Sequence, residues 1–205
     1  NRVWKCRDLC IRYSVDVQYS DGGAVSGDDG VMTSERIRDR VELRVDGHVA
    51  HVVLDRPDKR NALDGEMFAA IAAAGAALVD RGDVRAVVLS GNGASFCAGL
   101  DLALFAAMQP DGGFAGGSDT DPGAITDSGL THLAQQICWV WQEIEVPVIA
   151  AMHGHALGGG LQLALGADFR IAHPDTKLSV REGHWGLTPD MTGTFVLARL
   201  VRPDV

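Results

Sequence analysis

Gly158-Gly159-Gly160 stands directly before an apolar run, in HGHALGGGLQLALGAD (153–168). A glycine costs a helix about 1 kcal/mol relative to alanine, so three at a helix start call for a reason. One reason is chemical. The first N–H groups of a helix have no internal partner and carry the positive end of its dipole. Without side chains, Gly158 to Gly160 let a ligand oxygen approach those groups closely. A second loop, Cys97-Ala98-Gly99-Leu100-Asp101, also follows an apolar strand pattern and opens a short helix. One N–H from each loop can grip a single carbonyl oxygen. Such an oxyanion hole favours a carbonyl compound becoming an enolate, each donor being worth a factor of about 100 to 1,000 in rate. Tight helix–strand packing would use the same glycines, and that alternative stays open here.

Other glycine-loop chemistries fit poorly. Gly91-Asn92-Gly93 begins a dinucleotide fingerprint, but Phe96 stands where its third glycine belongs. Gly154 and Gly159 have phosphate-loop spacing, but Gly160 replaces the lysine. No G-x-S-x-G elbow is present. His153 and His155 have strand-like spacing, yet no third ligand accompanies them. Cys6 and Cys10 lack a second Cys/His pair at a zinc-like distance, so no metal site is expected. Cys97 has no paired base and is not read as a nucleophile.

Elements must position these loops. Residues 11–19 alternate apolar and polar, a strand signature, and 21–30 reads as a flexible linker. The first 31 residues are expected to be a poorly ordered extension, with the core in 32–205. VELRV and HVAHVVLDR flank Asp46-Gly47, a strong hairpin signal. Asp64 is a good N-cap for a helix with Met67, Ile71, Ala74 and Leu78 on one face. Arg85–Ser90 and Val146–Met152 read as buried strands, and a helix pattern carries Leu130, Leu133, Ile137, Val140, Trp141 and Ile144. Residues 109–128 read as a mobile loop. DFRIA is a strand, and the last helix runs from Met191 to Val201. Strands alternate with helices after residue 60, which predicts an α/β fold with a largely parallel sheet.

The 205 residues suit one domain. A net charge of −9 without a dense cationic cluster argues against nucleic acid or an anionic membrane as general partners. Four scattered cysteines point to a reducing compartment, and no long apolar span or leader pattern is visible, so a cytoplasmic setting is expected.

RPDKRNAL (56–63), SFCAGLDL (95–102), HGHALGGGLQLALGADFRIA (153–172) and EGHWGLTPD (182–190) occur in that order. Together they resemble the crotonase superfamily, the enoyl-CoA hydratase/isomerase proteins, over about residues 41–205. The resemblance implies a spiral of ββα units that binds acyl-CoA thioesters, as a homotrimer or hexamer, with CoA arriving as part of the substrate and no other cofactor. It implies oxyanion N–H groups at Leu100 and Gly159, the latter beside Gly158. It sets Ala98, Asp101 and Leu102 along the CoA side and Lys59 or Arg60 near its phosphates; a solvated turn is the alternative for the last two. Family members continue with further helices, so the resemblance implies a member whose C-terminal helical part is largely missing. Such a copy would expose apolar surface.

The resemblance also frames the chemistry. Family hydratases split water between two glutamates. One position matches Glu182, but the other is Gln162, which can orient water or substrate but cannot take a proton near neutral pH. Dienoyl-CoA isomerases resemble the chain at Glu182 and Asp190, eight residues apart, one removing a proton and the other returning one. That branch, too, has an acid where Gln162 stands. Other members use the aspartate matching Asp190 as a nucleophile on aromatic thioesters. The plainer readings are a helix N-cap for Asp190, a surface ion pair with Arg181 for Glu182, and packing for His184. Trp139, Trp141 and Trp185 read as core or pocket wall. The expected activity is therefore an acyl-CoA hydratase/isomerase, placed in fatty-acid oxidation. The alternative is a non-catalytic remnant that binds acyl-CoA or associates with relatives. A ClpP-like protease would need a Ser–His pairing, and none is evident.

Overall fold

The computed structural model describes residues 4–5, 33–107, 119–127 and 131–202. The strand expected at 11–19, the linker at 21–30, Cys6, Cys10, Leu130 and part of the 109–128 loop lie outside the described residues.

Within the 1–31 stretch, β1 (Trp4–Lys5) is a strand. The next three strands are β2 (Thr33–Ile37), β3 (Val41–Asp46) and β4 (Val49–Leu54). β3 and β4 form the expected hairpin, paired antiparallel from Val41↔Leu54 to Asp46↔Val49. Alternation puts Val41, Leu43 and Val45 of one strand and Ala50, Val52 and Leu54 of the other into the core. A 3-10 turn at Pro57–Lys59 leads into α1 (Gly65–Val79). Asp64 caps α1, accepting from the Met67 N–H at 2.8 Å, and pairs with Arg40 at 3.0 Å. Met67, Ile71, Ala74 and Leu78 are buried along one face, as their spacing predicts.

After α1 come β5 (Ala86–Gly91), α2 (Leu102–Ala106), α3 (Leu133–Trp139), β6 (Val148–Met152), β7 (His155–Leu157) and α4 (Gly159–Leu165). β8 (Phe169–Ala172), β9 (Lys177–Ser179) and α5 (Gly193–Leu200) complete the described chain. The main sheet has the order β2-β3-β4-β5-β6-β8. It is antiparallel from β2 to β4 and parallel from β4 onward. A smaller sheet, β1-β9-β7, pairs β7 with β9 parallel and β1 with β9 antiparallel. The segment between β6 and the triple glycine contains β7, whose three residues pair with an equally short strand twenty-two residues later.

β8 closes one edge of the main sheet. Its Phe169 and Ile171 are exposed, as are Phe195 and Leu200 of α5. Among the described residues, no helix is long and apolar enough to cross a membrane.

Candidate active site

A cavity of about 480 Å³ lies where the loop after β5 meets the turn between β7 and α4. The meeting is made by backbone pairing. Cys97 bridges Ala156 in parallel fashion: its N–H donates to the His155 carbonyl at 2.9 Å, and its carbonyl accepts from Leu157 at 3.1 Å. Three residues later Leu63 bridges Leu100. There the Leu63 N–H donates to the Gly99 carbonyl at 2.8 Å and the Asp101 N–H to the Leu63 carbonyl at 2.9 Å. This parity uses the polar groups of Leu63 and directs the Leu100 N–H away from it.

Gly158 donates to the Ser179 carbonyl on β9 at 2.9 Å, which anchors the second turn. Gly159 is the first residue of α4, where no intrahelical acceptor exists. Among the described residues, neither the Leu100 N–H nor the Gly159 N–H has an acceptor, and both residues line the cavity. Gly99 sets their approach. It has φ +90°, and a Cβ there would lie 2.5 Å from the Leu157 carbonyl oxygen and 3.7 Å from the Gly159 nitrogen.

Glu182 lies in a 3-10 turn, Glu182–His184, and lines the same cavity. Its Oε1 accepts from Gln162 Nε2 at 2.7 Å, and Oε2 is buried with no hydrogen bond. A Cβ on Gly158 would stand 3.3 Å from Oε1, so the carboxylate sits over the glycine turn. Burial pushes the Glu182 carboxyl above the usual carboxylate range, with Asp190 adding in the same direction. Glu182 has no ion pair with Arg181 among the described residues, contrary to the surface-pair alternative.

Asp190 is exposed and lines the cavity. It does not cap α5, whose N-cap is Thr192, two residues later and in the left-handed conformation with φ +70°. The N-cap alternative for Asp190 is therefore corrected: Thr192 carries the chain past the position from which an aspartate could reach the first turn.

The remaining site residues fall into two groups. Ala98, Leu102, Gly158 and Gln162 line the cavity. Lys59, Arg60 and Asp101 do not. Lys59 and Arg60 are exposed, and the Arg60 carbonyl accepts from the Ala98 N–H at 2.9 Å. Asp101 is held by Arg56 at 2.6 Å and caps α2 through the Ala103 N–H at 2.8 Å.

Trp185 and Phe105 form an aromatic wall with ring centroids 5.3 Å apart, and both line the cavity. Trp141 is core. His184 packs edge-on against Trp185 at 5.1 Å, the packing role expected of it. His153 and His155 bond separately, to the Gly93 carbonyl at 2.8 Å and to Ser95 Oγ at 2.9 Å. The latter is a Ser–His pair that sequence inspection missed, since sixty residues separate the two. Ser95 is fully buried, and the charges acting on His155 are the cations Arg60 and Lys177 rather than a carboxylate. That is the wrong setting for a serine nucleophile. Cys97 is buried, with its thiol pushed up to about 12 by desolvation.

Asn61 was missed altogether. It is fully buried with φ +56°. Its Oδ1 accepts from the Arg56 N–H at 2.8 Å, and its Nδ2 donates to the Asn92, Ser95 and Phe96 carbonyls at 2.9, 2.8 and 3.1 Å. One amide thus ties the 56–61 turn to the loop that carries Leu100. Asn61→Ala strands several buried polar groups, so it is expected to cost about 3 kcal/mol, read from the urea midpoint at constant slope.

Two glycine turns that meet at one cavity, beside a half-buried carboxylate and on a sheet of mixed pairing, define the class: an α/β protein with a concave site between two backbone turns. The chain belongs to the enoyl-CoA hydratase/isomerase family of the crotonase superfamily, whose family model matches residues 49–203. A Mycobacterium tuberculosis protein named "Probable enoyl-CoA hydratase EchA14" is 39% identical over 167 residues, covering 82% of this chain and 60% of that protein. Carnitinyl-CoA dehydratase of Salmonella is 32% identical, covering 80% and 58%. A Thermobifida fusca protein described as an enoyl-CoA hydratase, solved in complex with acetoacetyl-CoA, superposes with TM-score 0.66 at 36% identity, covering 82% of this chain and 65% of that one. The chain spans about 60% of the length of the curated relatives it matches.

Proposed function

We propose that this chain carries an acyl-CoA hydratase/isomerase site that stabilises a thioester enolate. The carrying observation is that Leu100 and Gly159, whose N–H groups have no acceptor among the described residues, line one cavity together with Glu182. A thioester oxygen held by both would take up the negative charge that forms when the neighbouring carbon loses a proton. Glu182 would accept that proton, and Asp190 would return one elsewhere on the acyl chain. Their environments differ: the Glu182 carboxyl is half-buried, whereas Asp190 is exposed. The wall of Phe105 and Trp185 would cover the apolar acyl group. Ala98 and Leu102 would face the CoA moiety, and Lys59 and Arg60 would meet its phosphates from outside the cavity, with Asp101 holding α2 in place.

The relatives' names support the substrate class, and the setting we assign is fatty-acid oxidation. Titrating the protein with a short enoyl-CoA and with a dienoyl-CoA, while following thioester absorbance, tests the reading. Absorbance loss with the first marks hydration, and a shifted dienoyl band marks isomerisation. Binding without turnover of either would favour the alternative, a non-catalytic acyl-CoA-binding relative.

A further inference from the structure

Glu182 is held by an amide, not by a cation, and the amide is itself held. Gly193, the first residue of α5, donates its backbone N–H to Gln162 Oε1 at 2.9 Å. Gln162 is 2% exposed, so its bond from Gly193 lies out of water. A backbone N–H can only donate, which fixes the oxygen of the Gln162 amide toward Gly193 and its NH₂ toward Glu182. That NH₂ also can only donate, so Glu182 Oε1, at 2.7 Å, must accept. The fit is close: a Cβ on Gly193 would fall 2.5 Å from Gln162 Oε1. Glu182 Oε2, buried and without a hydrogen bond among the described residues, is the remaining oxygen.

We propose that Gln162 is a positioning residue: locked by the Gly193 N–H, it keeps Glu182 Oε1 a permanent acceptor and so favours the ionised carboxylate that takes a proton from carbon. In the forward step the C–H bond next to the thioester breaks and an O–H bond forms on the Glu182 carboxyl. The electron pair moves to the enolate oxygen. In the reverse of that step, the one α-proton exchange reads, the O–H bond on Glu182 breaks and the C–H bond re-forms with no further reactant; return of a proton to a different carbon falls to Asp190. One of the two lone pairs on the Gln162 oxygen is then taken by Gly193. Its catalytic consequence rests on the acyl-CoA reading above; the direction of the hydrogen bonds does not.

A glutamate at 162 would keep the bond to Gly193 but face Glu182 Oε1 with a second oxygen. The two carboxylates would then share a proton and titrate together. The other groups acting on Glu182 are Asp190 before α5, Cys138 on α3, and the backbone of Arg181 and Glu182 in its own turn, all unchanged by that substitution, as is His184 in the same turn. The test is a carboxyl titration of the full chain by isotope-edited infrared spectroscopy, with the Glu182 band assigned by its loss in Glu182→Gln. Gln162→Glu is expected to raise the Glu182 titration by at least about one pH unit, a tenfold change in proton affinity. The acid limb of α-proton exchange, followed with a saturated acyl-CoA in D₂O, should move equally. Coincident titrations of wild type and Gln162→Glu overturn the proposal. Should Gln162→Glu not fold, Gln162→Met removes the donor and must also raise the titration; an unmoved curve again overturns it. A shifted titration with no exchange even in wild type sinks the acyl-CoA reading and leaves the fixed polarity standing.

Discussion

Gly99→Ala is expected to lower kcat/KM for an enoyl thioester by about 100-fold or more while leaving a folded chain. The reason is local and steric. At φ +90° an alanine is strained wherever it sits, at a cost of about 1–3 kcal/mol. Here the new methyl would also meet the Leu157 carbonyl oxygen at 2.5 Å, and that oxygen belongs to backbone, which cannot rotate aside. The two turns must therefore separate, and they carry the Leu100 and Gly159 N–H groups. A misplacement of about 1 Å in such a constellation costs on the order of 100-fold, and loss of one oxyanion donor costs as much or more. Gly82→Ala serves as the matched control, because nothing lies within 4 Å of its added methyl and its φ is ordinary. Steady-state kinetics beside urea denaturation separates the outcomes. Wild-type turnover in a folded Gly99→Ala protein would show that these turns do not hold the reacting oxygen.

Signals confined to a few neighbouring residues were legible in the sequence. Asp46-Gly47 marked the hairpin, Asp64 marked the start of α1, and the spacing of Met67, Ile71, Ala74 and Leu78 marked its buried face. The four ordered motifs marked the family. What escaped was set by pairing between distant segments. Whether the Leu100 N–H is free depends on the parity of its bridge to Leu63, and no local pattern encodes parity. Asn61 looks like an ordinary turn residue until the 92–96 loop closes over it. Gln162 read as a helix residue short of an acid, because its partner Gly193 is thirty-one positions away. Asp190 illustrates the reverse error: a proline followed by an aspartate before a helix pattern is a sound capping signal, yet the left-handed Thr192 moves the helix start beyond its reach.

Glu182→Gln is expected to abolish turnover, by about 1,000-fold or more, and at the same time to make the protein more stable at neutral pH. Loss of a positioned acid–base group removes a factor of about 100 to 10,000, and among the described residues the only other carboxylate lining the cavity is the exposed Asp190. The amide keeps an oxygen to accept from Gln162 Nε2, so geometry and thioester binding should persist. The stability gain follows from the raised proton affinity. Glu182 binds its proton more tightly folded than unfolded, chiefly because burial disfavours the charge. Native stability then falls as pH rises from the ordinary value of 4.5 through the raised folded value, and above that window the folded state bears the full cost of a desolvated carboxylate. A neutral glutamine bears none of it. Urea midpoints of the two proteins should therefore converge below pH 4.5 and part above it, the variant being the more stable. The activity of wild type should rise with pH through the same window, since only the ionised carboxylate can take a proton from carbon. One desolvated group thus sets both curves, and a Glu182→Gln protein that keeps its turnover, or that loses stability above pH 4.5, would break the link between them.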